Sequence, residues 1–114
     1  MGKGYDLERA CVWLFKNQLI FAIRLHTRQQ VGELAKIDVI VFHPKEGLVF
    51  IQCKAGKRHW MSQDDKIKLL QVAEKYGAKA WFCFREKGMQ FQYLQSRTRY
   101  RPPSIKKLIN KMKA

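Results

Sequence analysis

The chain has 114 residues, 46% of them hydrophobic, and carries 23 Lys+Arg against 9 Asp+Glu, for a formal net charge of +14 and a pI near 10.1. That length suits one domain whose single two-layer core buries roughly 65% of the unfolded surface, and seven Phe, four Tyr and three Trp exclude a disordered polycation. A folded basic protein calls for a polyanionic partner. Nucleic acid comes first, because neutralising phosphates releases counterions; a membrane surface or an acidic protein stands behind it.

From Tyr5 to Gln18, the residues Leu7, Ala10, Cys11, Leu14 and Phe15 recur at helical spacing and predict an amphipathic helix with Glu8 at the edge of its buried stripe. Leu19 to Leu25 reads as a strand and His26 to Lys36 as a polar connection. Ile37 to Phe42 follows as a second strand, Pro44-Lys45-Glu46-Gly47 as a turn, and Leu48 to Lys54 as a third strand. Ser62, with the acids Asp64 and Asp65 behind it, caps a helix running to about Tyr76, which Gly77 stops. Ala80 to Phe84 is a continuous apolar run, as expected of a strand covered on both faces, and Met89 to Leu94 pairs with it after Lys87-Gly88.

The order α-β-β-β-α-β-β predicts an α/β domain over residues 1–95, with a mixed sheet flanked by two helices. Residues 96–114 hold seven Lys/Arg and no acid. They read as a basic, DNA-binding arm, with Pro102-Pro103 separating an extended stretch from a short helix. No run reaches the eighteen or so apolar residues of a spanning helix and no signal-peptide layout opens the chain, so a soluble, cytoplasmic, nucleoid-associated protein is expected. Cys11, Cys53 and Cys83 are odd in number and widely spaced, which suits reduced core thiols and argues against disulfides or zinc. His26, His43 and His59 lack zinc-site spacing. Trp13, Trp81 and Phe84 read as core or dimer contacts.

Asp38 interrupts an apolar strand, and a carboxylate placed there is costly unless a cation or a donor compensates it. Alternation along the third strand points Gln52 and Lys54 one way and Ile51 and Cys53 the other. If the second and third strands pair about Lys45, Asp38 falls opposite Gln52. That register needs an odd loop, Pro44-Lys45-Glu46, with Gly47 in a left-handed conformation. Asp38, the Gln52 amide oxygen, the Cys53 backbone carbonyl and Glu8 then form an oxygen set suited to Mg²⁺, with Lys54 orienting or deprotonating water or stabilising developing charge. The plainer readings are a strand-edge Asp38 paired with Lys36 or Arg24, and a solvated face at Gln52 and Lys54. Arg28, in the segment Thr27 to Gln30, and Lys57, Arg58 and Trp60 after the third strand are candidate nucleic-acid contacts.

Asp38, thirteen intervening positions, then Gln52-x-Lys54 resembles the PD-(D/E)xK nuclease motif in its Q-x-K form. With Gly4-x-x-x-Glu8-Arg9 and Phe21-Ala22-Ile23-Arg24, residues 3–95 resemble archaeal-type Holliday-junction resolvases. The resemblance implies a restriction-endonuclease-like fold, with Glu8, Asp38, Gln52 and Lys54 as catalytic and metal residues and Arg9 and Arg24 near bound phosphates. It also implies dependence on Mg²⁺ with Mn²⁺ as a substitute, no small-molecule cofactor, and a homodimer that cuts four-way DNA junctions. Ile37 stands where the motif's name has proline, Gln52 where an acid is usual, and the segment between Arg24 and Asp38 is longer than in typical resolvases. The alternatives are a restriction-, repair- or mobile-element-type nuclease, a nuclease acting on RNA, and a non-catalytic nucleic-acid-binding module in which Gln52 marks a degenerate metal site.

Overall fold

A computed structural model describes residues 3–55, 61–96 and 99–102, with side chains from residue 6 onward. Helix α1, Lys3–Asn17, leads into strand β1, Phe21–Arg24; a single 3₁₀ turn, Gly32–Leu34, lies in the polar connection to β2, Val39–His43, and β3, Gly47–Lys54. Helix α2, Gln63–Lys75, then returns the chain to β4, Lys79–Arg85, β5, Met89–Tyr93, and β6, Arg99–Tyr100. The strands lie in sequence order across one sheet, antiparallel at every junction except β3–β4, which is parallel and bridged by α2. A parallel pair cannot be closed by a tight turn, so a helical crossover is required at that junction.

Strand alternation sorts the core into two layers. On one face Leu7, Cys11 and Phe15 of α1 meet Val39, Val41, Val49, Ile51, Trp81 and Phe91. On the other, Leu69, Val72 and Ala73 of α2 meet Phe50 and Ala80, joined by Leu25 and Ile37. The central strand β4 is buried from Ala80 to Phe84, as its unbroken apolar run requires. Ser62 caps α2 as expected, its Oγ accepting the Asp65 N–H at 3.1 Å. Gly77 follows the helix with φ at +66°. No helix among the described residues is long and apolar enough to cross a membrane.

One expectation is corrected. Arg99 and Tyr100, read in the sequence as part of the basic arm, form β6 and continue the sheet beyond residue 95. The Tyr100 ring stacks on Trp81 with centroids 4.6 Å apart and joins the α1-side core. Tyr100 is the one apolar anchor within a stretch of arginines, too short to register as a strand pattern. Of the residues read as core or dimer contacts, Trp81 and Phe84 are buried within the protomer, whereas Trp13 is 59% exposed on α1 and lies outside the protomer core. The proposed helix after Pro103 lies outside the described residues.

Candidate active site

The β2–β3 hairpin builds the site. Its pairs run from Val39↔Ile51 to His43↔Gly47, a register centred on Lys45 with Pro44-Lys45-Glu46 as the loop. Gly47 holds φ at +78°, a conformation that costs an L-residue roughly 1–2 kcal/mol. The His43 ring braces this turn: Nδ1 accepts the N–H groups of Lys45 and Glu46, each at 3.1 Å. With Nδ1 accepting, Nε2 carries the proton and donates to the Tyr100 hydroxyl at 3.1 Å. Burial lowers the pKa of the ring, keeping it in this neutral, accepting form.

The paired register ends at Val39↔Ile51, so the expected pairing of Asp38 with Gln52 is corrected: the Asp38 N–H turns to the Ile51 carbonyl, because its own carbonyl is held on the opposite side by Leu25, just after β1. Asp38 lies just ahead of β2 and is tied on both sides, its N–H donating to the Ile51 carbonyl and its own carbonyl accepting the Leu25 N–H, each at 2.9 Å. Its carboxylate is aimed by two donors. Oδ2 accepts the Cys53 N–H at 2.7 Å, and Oδ1 accepts the Gln30 side-chain amide at 2.8 Å, while the same amide nitrogen also donates to the Ile37 carbonyl at 2.7 Å. Lys36 pairs instead with Asp65 at 3.0 Å, so the reading of Asp38 as a strand-edge partner of Lys36 does not describe its contacts.

Helix α1 brings Glu8 to Asp38. Burial, then the Asp38 charge, lifts the Glu8 carboxyl from an ordinary 4.5 to about 7, against the opposing pull of Arg24, whose guanidinium lies 3.6 Å away. Two carboxylates in one partly desolvated corner resist double ionisation, the electrostatic state that a cation relieves. Because Glu8 binds its proton more tightly in the folded chain than in the unfolded one, stability should fall as pH rises from about 4.5 through about 7. Glu8→Gln should flatten that slope in denaturant melts taken across the window. An unchanged slope in the variant would place its origin elsewhere.

Gln52 is 5% exposed, and its Oε1 is buried with no hydrogen-bond partner among the described residues. An orphaned carbonyl-type oxygen costs on the order of 1–3 kcal/mol, a debt that a metal ligand bond discharges. Lys54, two residues on and half-exposed, reaches Asp65 of α2 at 3.7 Å. Asp65 therefore holds both Lys36 and Lys54, which keeps its own carboxyl below the usual range, Lys36 contributing most. Glu8 and Asp38, which face each other, and the orphaned Gln52 Oε1 are oxygen donors of the hard class that a divalent cation such as Mg²⁺ takes.

The remaining predicted residues divide. Arg24 sits at the centre through Glu8; Arg9 is exposed on α1; Arg28 is exposed in a turn closed by the Gln29 N–H donating to the His26 carbonyl at 2.8 Å. Lys57, Arg58 and Trp60 lie outside the described residues. Glu33, which the sequence marks only as one acid in the polar connection, is bound to Lys75 at the end of α2 and to Tyr76 just after it, so it braces that connection against the helix. Sequence reasoning missed Gln30 and Asp65 as supports of the site. Gln30 carries no local signal, being one amide in a polar stretch, and Asp65 was legible only as a helix-capping acid.

No family model matches the chain, and neither does any curated protein sequence. Among solved structures the chain is similar to Hjc of Archaeoglobus fulgidus, a Holliday junction resolvase from an archaeal hyperthermophile, with a TM-score of 0.66 and 21% identity over 79% of this chain and 75% of that one. The likeness is one of fold: the mixed sheet between two helices with its β2–β3 hairpin is the restriction-endonuclease-like fold.

Proposed function

We propose that the protein is a metal-dependent DNA endonuclease selective for branched DNA, acting on four-way junctions as a homodimer. The observation that carries this reading is the Asp38 carboxylate facing Glu8, with the neighbouring strand holding a buried Gln52 Oε1 that has no hydrogen-bond partner among the described residues. A structural polar cluster would satisfy that oxygen internally, whereas a ligand site leaves it for an incoming ion. The likeness of the fold to a resolvase supports the same reading.

Glu8, Asp38, Gln52 and the Cys53 carbonyl would hold the ion, which when bound supplies Lewis acidity toward a phosphodiester. Gln30 and the Cys53 N–H hold the Asp38 carboxylate in place, so orientation is set before substrate arrives. Lys54, at the end of β3 two residues beyond Gln52, would bring the positive charge of the motif to the substrate. There it stabilises charge developing on the phosphoryl oxygens and positions water, and Asp65 keeps its ammonium from swinging into solvent. Arg24 and the exposed Arg9 and Arg28 provide the charge that draws a nucleic-acid backbone toward the centre.

For the dimer, Trp81 and Phe84 are spent inside the protomer. The surface that offers itself is the outer end of the sheet, where Phe21 and Phe42 meet edge to face at 5.4 Å and are 61% and 52% exposed, beside Ile23 and Leu19. Helix α2 covers Phe50 on the same face of the sheet and leaves this end bare, next to the free edge of β1. The double variant Phe21→Glu/Phe42→Glu should convert a dimer to a folded monomer in sedimentation velocity. A wild-type monomer at all concentrations, or a variant that still pairs, would move the interface elsewhere.

The function is tested by incubating labelled four-way junction, linear duplex and single-stranded DNA with Mg²⁺ or Mn²⁺. Paired symmetric nicks confined to the junction are expected. Cutting of linear DNA as well would broaden the enzyme to a restriction- or repair-type nuclease, and tight binding without metal-dependent cutting would replace it with a binding module.

A further inference from the structure

Three thiols far apart in the chain converge in the α1-side layer: Cys11 from α1, Cys53 from β3 and Cys83 from β4, with all three Sγ atoms within 4.8 Å of one another. Cys53 and Cys83 are register partners across the parallel β3–β4 pair, and Cys11 descends on them from the helix above. All three are buried and none is in a disulfide. We propose that Cys11, Cys53 and Cys83 form a three-coordinate thiolate site for a soft d¹⁰ cation, chemically distinct from the oxygen-lined centre.

The argument is one of distances and donor softness. Three sulfurs about 2.3 Å from a shared ion in a trigonal plane stand about 4.0 Å apart, so closing the observed triangle onto an ion needs a contraction of at most about 1 Å. Among the described residues no further cysteine, histidine or carboxylate joins the three sulfurs as a ligand group, which favours three-coordination over a closed tetrahedron. Thiolate sulfur selects Cu(I) and the zinc group and discriminates against Mg²⁺, so the two centres sort ions by hardness without competing. Uptake displaces the thiol protons to solvent as three S–metal bonds form; no electron is transferred and the ion keeps its oxidation state. The spacing of these cysteines in the sequence hides the site, because each ligand comes from a different element and no Cys-x-x-Cys pair announces it.

Purified full-length protein, reduced and stripped with chelator, is titrated in one arm with Cd²⁺ and in the other with Cu(I) held by a competing chromophoric chelator, both in excess Mg²⁺. One ion per chain should be taken up in at least one arm, with sulfur-to-metal charge-transfer absorption and three sulfur scatterers in the X-ray absorption spectrum of the wild type. The arm that responds identifies a divalent or a monovalent preference. Cys11→Ala, Cys53→Ala and Cys83→Ala, each checked for folding by circular dichroism, should each abolish one-to-one uptake. No uptake in either arm, a first shell with fewer than three sulfurs, or full uptake in any folded single variant would overturn the site. Because the wild-type spectrum counts the sulfurs directly, the outcome stands even if a core variant fails to fold.

Discussion

Asp38→Asn should reduce metal-dependent cleavage by on the order of 1,000-fold or more, since losing the central anionic ligand forfeits several kcal/mol of Lewis-acid stabilisation. The same change should mark the fold in a way that a simple charge deletion would not. Asp38 receives a donor on each oxygen, the Gln30 amide on Oδ1 and the Cys53 N–H on Oδ2. An asparagine can satisfy one of them, but its amino group then faces the other, donor against donor. A loss of about 1–3 kcal/mol is therefore expected in denaturant melts. The Glu8 carboxyl should also move back down toward its ordinary value, because the Asp38 charge is one of the causes that raise it. Cleavage at wild-type rate by a folded Asp38→Asn chain would remove the mechanism, while inactivity without the donor clash or the Glu8 response would make Asp38 a more remote contributor than its contacts indicate.

Gln52→Glu should produce opposite effects with and without metal. Under the proposed ligand set, Gln52→Glu in the metal-free chain adds a third carboxylate to Glu8 and Asp38, one of which is already pushed up to about 7, and does so at a position only 5% exposed, so the melting temperature should drop. With Mg²⁺ the added anionic oxygen should tighten binding by about tenfold, which at saturating ion returns about 1.4 kcal/mol of stability. Thermal melts of both chains across a Mg²⁺ series, paired with junction cleavage, measure the two effects together. A variant whose melting temperature is indifferent both to the substitution and to Mg²⁺ would show that Oε1 of Gln52 does not face an ion.

The elements of the fold were legible wherever the apolar period was long. The two helices, the β2–β3 register about Lys45 and the left-handed Gly47 follow from patterning and turn chemistry, whereas the extension of that register to Asp38 and Gln52 does not, because the Asp38 N–H turns to the Ile51 carbonyl. What escaped reading depends on contacts between distant segments. Tyr100 enters the core by stacking on Trp81, and Gln30 reaches Asp38 from a connection whose composition suggests only solvation. Lys54 meets Asp65 because the parallel crossover sets the start of α2 beside the end of β3. The exposure of Trp13 likewise turns on which side of α1 meets the sheet, a matter that residue type leaves open.

The hairpin also bears on the order in which the molecule assembles. Asp38, Gln52 and Lys54 belong to one local unit closed by three loop residues and braced at its turn by the His43 ring, whereas the parallel β3–β4 pairing joins Val49 to Lys79 only after α2 has been traversed. Closing a short loop costs far less chain entropy than closing a long one, and contacts of low sequence separation are made first. These residues of the proposed centre should therefore be brought onto one hairpin early, while the later-docking strands and α1 enclose it, so that errors in the slow steps leave the hairpin intact and its carboxylate exposed to water.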